Sequence, residues 1–117
     1  MTTTRRAPER WFADSGSRDV VKLDIPADTQ RERRFEVYVR LLVSNTAQRA
    51  DATHALRVQI DGALEWSRSA STDAGPSDSL DWRQRRIVPA GRPLRLGAVC
   101  ALLGAQRVNL QISAEED

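Results

Sequence analysis

The sequence predicts an all-β fold, a single-domain antiparallel β-sandwich, on three observations. Phe35, Val37, Val39, Leu41 and Val43 alternate with Glu36, Tyr38 and Arg40, so an extended chain there has one apolar and one polar face, with Leu42 the exception. The same period of two recurs at Val21/Leu23/Ile25, Leu56/Val58/Ile60 and Val108/Leu110/Ile112. Between two such runs stands Asp61-Gly62, and an Asp-Gly pair supplies the two positive-φ residues of a type I′ hairpin turn.

Taken in order, residues 1–19 are polar and unpatterned except for Trp11-Phe12, and read as an N-terminal arm, flexible or docked through those rings. The sandwich is expected over 20–113. Its first strand, 20–25, ends at Pro26, which cannot donate to a ladder. A charged turn at 28–34 leads into the strand at 35–43. A polar loop at 45–53 precedes the hairpin at 56–66. Residues 67–79, rich in Ser, Asp, Gly and Pro, read as a long exposed loop. A strand at 80–88 carries Trp82, and Pro89-Ala90-Gly91 turns the chain. The strand at 93–103 keeps Leu94, Leu96, Ala98, Cys100 and Leu102 in phase; 104–107 is a tight turn, and 108–113 closes the domain. Residues 114–117 read as a solvated acidic tail. About seven or eight short strands without an amphipathic helix make a sandwich or jelly roll.

Composition agrees with one globular domain. A chain of 117 residues buries about two-thirds of its unfolded surface on folding. Its 40% apolar share with 5% aromatics implies an aliphatic core, and 29% charged residues is near the globular norm. Lys22 is the single lysine among 18 basic residues, a bias expected of a GC-rich, bacterial coding sequence. A net charge of +2 is too small to point to nucleic acid. Cys100 has no partner for an intrachain disulfide, which favours a reducing compartment. Arg5, Arg6 and Arg10 could imitate a leader's basic start, but Pro8, Glu9, Asp14 and Ser15 stand where an apolar run is required, and no stretch is apolar enough to span a membrane. The expectation is a cytoplasmic protein without membrane contact.

Signals of catalysis are sparse. His54 is the one histidine, no Gly-x-Ser-x-Gly surrounds a serine, and His54 reads as an ordinary surface or loop residue. Cys100 has core parity and not the electropositive exposure of a nucleophile. One His and one Cys exclude an ordinary zinc site, and Asp73, Asp78 and Asp81 match no Ca²⁺ loop. Gly62, Gly75, Gly91, Gly97 and Gly104 are scattered singly, so no phosphate loop exists. No metal or cofactor is expected. Charge is more suggestive: Arg83, Arg85, Arg86, Arg92, Arg95 and Arg107 lie in a stretch with no acid. Arg83, Arg85, Arg92 and Arg95 are the candidate basic interaction face, able to pair with carboxylate or phosphate.

Three segments together resemble the jelly-roll, galactose-binding-like carbohydrate-binding modules of families 6 and 35. Phe35-x-Val37-x-Val39-Arg40 is similar to their aromatic-x-Val-x-Val-Arg strand, and Leu56-x-Val58-x-Ile60-Asp61-Gly62 to their Val-Asp-Gly hairpin. Trp82 followed by Val88-x-Ala90-Gly91-x-x-Leu94-x-Leu96 is similar to their Trp, Ala-Gly turn and strand. The resemblance covers residues 35–96 and implies a jelly roll; the turn before the last strand lacks the aromatic those modules use, and Asn109 falls inside a strand. An immunoglobulin-like adhesion domain is the alternative topology, favoured by seven strands where eight favour the jelly roll.

The function expected is that of a non-catalytic binding or interaction module. A glycan or other polar ligand would use Tyr38, Arg40, Trp66 and Trp82, provided the rings are displayed. The alternative is an acidic protein partner, or assembly into a homo-oligomer, through the Arg-rich face. A third reading, a small enzyme, requires carboxylates or His54 to converge.

Overall fold

The computed structural model describes residues 6–117, so the first five residues of the expected arm lie outside it. Eight strands account for the fold: β1 (Arg10–Asp14), β2 (Val20–Ile25), β3 (Arg33–Asn45), β4 (Thr53–Ile60), β5 (Ala63–Ser71), β6 (Gly75–Val88), β7 (Leu94–Leu103) and β8 (Gln106–Glu116). They form two four-stranded antiparallel sheets, β1-β8-β3-β6 in front and β2-β7-β4-β5 behind. Apart from the β4–β5 hairpin, successive strands alternate between the sheets, which is the eight-stranded jelly roll and not the immunoglobulin arrangement.

The core follows from the alternation. Phe35, Val37, Val39, Leu41 and Val43 of β3 are fully buried, opposite Leu110, Ile112 and Ala114 of β8. Leu56, Val58 and Ile60 of β4 meet them from the back sheet, alongside Leu94, Leu96, Ala98 and Cys100 of β7. At the hairpin, Asp61 (φ 52°) and Gly62 (φ 82°) both take the left-handed conformation that a type I′ turn requires. That twist matches the flanking strands and aligns β5 on β4.

Several expectations change. Where 67–79 reads as a loop, β5 continues to Ser71 and β6 begins at Gly75. Ser67, Ser69 and Ser71 lie opposite Arg57, Ala55 and Thr53, and that pairing uses backbone groups that any residue carries. Within the expected arm, residues 10–14 are edge strand β1, with Trp11 opposite Ala114 and packed on the core. The expected tail belongs to β8 as far as Glu116.

An ion-pair clasp seals the end of the sandwich where β1, β3 and β8 meet. Arg33 shares the inward parity of Phe35, is 3% exposed, and lies 5.4 Å over that ring. It donates to Glu9 Oε1 at 2.9 Å and to the Pro26 carbonyl at 2.7 Å. Glu9 also accepts from Trp11 Nε1 at 3.1 Å and from Arg31 at 3.0 Å. Arg31 reaches Glu116 Oε1 at 3.0 Å and pairs with Asp28 at 3.2 Å. These contacts hold Glu116 and Asp28 below the usual carboxylate range: the Arg31 hydrogen bond is the main cause for Glu116, the Gln30 N–H for Asp28.

Candidate ligand-binding face

The outward side of the front sheet is built from the residues that alternate with the core. Cross-strand register sets them in rows. Phe12, Ser113, Tyr38 and Arg83 form one row across β1, β8, β3 and β6. Arg10, Glu115, Glu36 and Arg85 form the next, and Asp14, Gln111, Arg40 and Asp81 the one on the other side. At sheet spacing, Phe12 and Tyr38 are two strands and therefore about 10 Å apart.

Within this face, Glu36, Tyr38, Arg83, Ser113 and Glu115 line a depression of about 200 Å³. The Arg83 guanidinium lies 4.4 Å over the Tyr38 ring and donates to Glu36 Oε1 at 3.0 Å. One face of Tyr38 is thus occupied by a cation that a carboxylate holds in place. Arg40 lies 3.8 Å from Asp81. Phe12 has no such cover: it is 60% exposed at the end of the row. Chemically, the depression offers carboxylate acceptors, a phenol and a hydroxyl that donate or accept, and guanidinium donors, beside one bare aromatic ring.

Of the candidates read from the sequence, Tyr38 and Arg40 lie on this face. Trp66 and Trp82 do not. Both turn inward between β5 and β6 and pack, half-buried, against the core, away from this face. Ser113, Glu36 and Glu115 are the residues sequence reasoning missed, while Phe12, expected with Trp11 to dock the arm, is displayed and only Trp11 packs on the core. Glu36 was legible as a strand neighbour of Tyr38. The others are placed beside it only by pairing between distant parts of the chain.

The proposed basic face is divided. Arg83 and Arg85 point outward from the front sheet, Arg95 outward from the back sheet, and Arg92 sits in the β6–β7 loop. Equal parity on β6 and β7 could not join them, because those strands belong to opposite sheets. A cleft of about 670 Å³ at that end instead brings Arg92 and Arg95 together with Arg86.

His54 corrects the expectation of a surface position. It is 1% exposed, with Nδ1 2.6 Å from Thr72 Oγ1, because it shares the inward parity of Leu56, Val58 and Ile60. Its Nε2 is buried without a hydrogen-bond partner. Cys100 is buried as expected; burial pushes its thiol up, and the Asp19 carboxylate pushes it the same way, which disfavours the thiolate. Asp78 lies below the usual carboxylate range because it accepts the N–H of Asp73, helped by that of Ser79. Among the described residues no group of three His, Cys, Asp or Glu side chains could hold a metal ion. No helix among them is long and apolar enough to cross a membrane.

No family model matches the chain, and no curated protein matches it in sequence. Among solved structures, dimeric latent PorU from Porphyromonas gingivalis is similar with TM-score 0.52 and 14% identity, covering 94% of this chain and 13% of that one. The functional form of the mosquito-larvicidal Cry4Aa toxin from Bacillus thuringiensis is similar with TM-score 0.53 and 9% identity, covering 86% of this chain and 18% of that one. This chain thus spans less than a fifth of either. A native family 35 carbohydrate-binding module from Clostridium thermocellum gives TM-score 0.40 and 12% identity, over 82% of this chain and 72% of that one. The first two likenesses concern the fold alone.

Proposed function

We propose that the protein is a non-catalytic binding module that takes a glycan on the outward face of its front sheet. The observation that carries this reading is the row Phe12–Ser113–Tyr38–Arg83, in which an exposed ring adjoins a depression edged by Glu36 and Glu115. Sugars pair C–H faces, which pack on aromatic rings, with hydroxyl rims, which need acceptors and donors together. The face provides both. Phe12 supplies the apolar platform; Glu36 and Glu115 accept from hydroxyls; Arg83, Ser113 and the Tyr38 phenol donate. The sheet fixes these groups by backbone pairing, so little conformational entropy is lost on binding. His54, sealed inside the sandwich, has no part in this reading.

The test is a glycan array followed by calorimetry on the best binder. Phe12→Ala is expected to weaken binding roughly tenfold, about 1.4 kcal/mol, within the range of aromatic contacts. Tyr38→Phe is expected to weaken it about threefold through one neutral hydrogen bond. Absence of any glycan binding, or a Phe12→Ala variant that binds like the parent, rejects the reading.

A further inference from the structure

We infer that the cleft between the Asp61-Gly62 turn and the β6–β7 loop is a second site, independent of the front face, for a small anion whose carboxylate or phosphate group is joined to an apolar body. Its volume of about 670 Å³ lies within the range of small-molecule sites. Three guanidinium-bearing residues line it, from three different segments: Arg86 near the end of β6, Arg92 in the loop, and Arg95 at the start of β7.

Their pairing state points to an anion. Arg86 is 3.2 Å from Glu65 across the opening between the sheets. Arg92 and Arg95 form no ion pair among the described residues, although most other arginines around the fold do. The one carboxylate in the lining, Asp61, is committed to the backbone. Its Oδ1 accepts the Arg95 N–H at 3.0 Å, while its own N–H donates to the Arg95 carbonyl at 2.8 Å. That double link joins the two walls of the cleft and holds Asp61 Oδ1 on a backbone N–H rather than on the Arg95 guanidinium.

The remaining lining is apolar and stiff. Ile87, 54% exposed, stands with Val88, Pro89, Pro93 and Leu94. The prolines fix φ on both sides of the loop. The loop is closed by Arg92 N–H to the Pro89 carbonyl at 3.1 Å and tied down by Gly91 N–H to the Asp28 carbonyl at 2.7 Å. Unpaired planar donors above a rigid apolar floor select a ligand with both characters: the guanidinium groups fork onto the anion, and the floor takes the body.

The experiment follows the arginine Nε–Hε and the Ile87 methyl signals by NMR during titration of the whole chain with phenyl phosphate, phenylacetate and benzyl alcohol. Saturable shifts at Arg92, Arg95 and Ile87 with either anion support the site, and which anion binds tighter separates phosphate from carboxylate. The Arg92→Ala/Arg95→Ala pair is expected to weaken binding at least tenfold. Arg18→Ala/Arg57→Ala, which removes equal charge elsewhere, should leave it unchanged. All four side chains belong to exposed residues, so neither pair removes core. Benzyl alcohol binding as tightly as the anions, equal losses in the two double variants, or no saturable shift at millimolar ligand overturns the proposal. None of these outcomes depends on whether the front face takes a glycan.

Discussion

Replacing Arg33 by Ala tests the physical reasoning about the clasp and, through it, the position of Phe12. Arg33 is 3% exposed, and its two terminal nitrogens serve Glu9 Oε1 and the Pro26 carbonyl. Removing one member of a buried ion pair commonly costs about 3–5 kcal/mol, because the other charge is stranded. Here Glu9 keeps Arg31 at 3.0 Å, Trp11 Nε1 at 3.1 Å and Arg6 at 3.4 Å, so its charge stays compensated and the loss falls toward about 2 kcal/mol. The Pro26 carbonyl loses its donor, which adds about 1 kcal/mol or more. The expected total is roughly 3 kcal/mol, equivalent to a fall in Tm of about 10 °C for a domain of this size. Urea unfolding followed by tryptophan fluorescence measures it, with an unchanged m-value showing that the denatured state is unaffected. A cycle with Glu9→Gln should give a coupling of about 1–2 kcal/mol. Because Glu9 leads directly into β1, the loss should also loosen the strand that displays Phe12 and reduce glycan binding. A loss below about 1 kcal/mol would refute the claim that Arg33 ties the arm to the sandwich.

Two further outcomes concern pH and the turn. Glu116 and Asp28 titrate below their ordinary values near 4.5 and 3.8, so each contributes stability that is present above those values and is lost as pH falls through the depressed folded-state values. Stability should therefore hold from neutral pH down to about 4.5 and decline below it, and Glu116→Gln should flatten the decline in acid-unfolding curves; an unaltered pH profile in that variant removes the assignment. Gly62→Ala should destabilise by about 1–2 kcal/mol, since φ is +82° and a Cβ there meets no atom within 4 Å, leaving left-handed strain as the only penalty. Denaturant midpoints check this, and a neutral result contradicts the type I′ assignment.

The legible part of the fold was the part with two-sided strands. β3 and β4 bury one face completely, so their alternation is written in residue type, and the Asp61-Gly62 turn carries its own conformational signature. β1 and β5 are edge strands with no buried residue at all, and their pairing runs through backbone groups that leave little mark on composition. Two inward polar residues were nevertheless readable. His54 continues the parity of Leu56, Val58 and Ile60, and Arg33 that of Phe35 and Val37. Residue type suggests the surface, whereas in the folded chain position decides: His54 Nδ1 then pairs with Thr72, and the two terminal nitrogens of Arg33 with Glu9 and the Pro26 carbonyl.

The candidate site was legible to the extent that it lies within one strand. Tyr38 and Arg40 follow from parity in β3 alone. Phe12 joins Tyr38 only because β8 inserts between β1 and β3, bringing the two ends of the chain together, and no local pattern encodes that insertion. The arginines illustrate the converse. Arg83, Arg85, Arg92 and Arg95 look contiguous in sequence, yet the jelly roll sends β6 and β7 to different sheets and divides them. The turn that divides them is also what gathers Arg92 and Arg95 with Arg86 at the mouth of the sandwich. A jelly roll places its loops where strands leave one sheet for the other. Arg86 near the end of β6, Arg92 in the loop and Arg95 at the start of β7 therefore meet at that crossover, where the Asp61 link to Arg95 ties the two walls together.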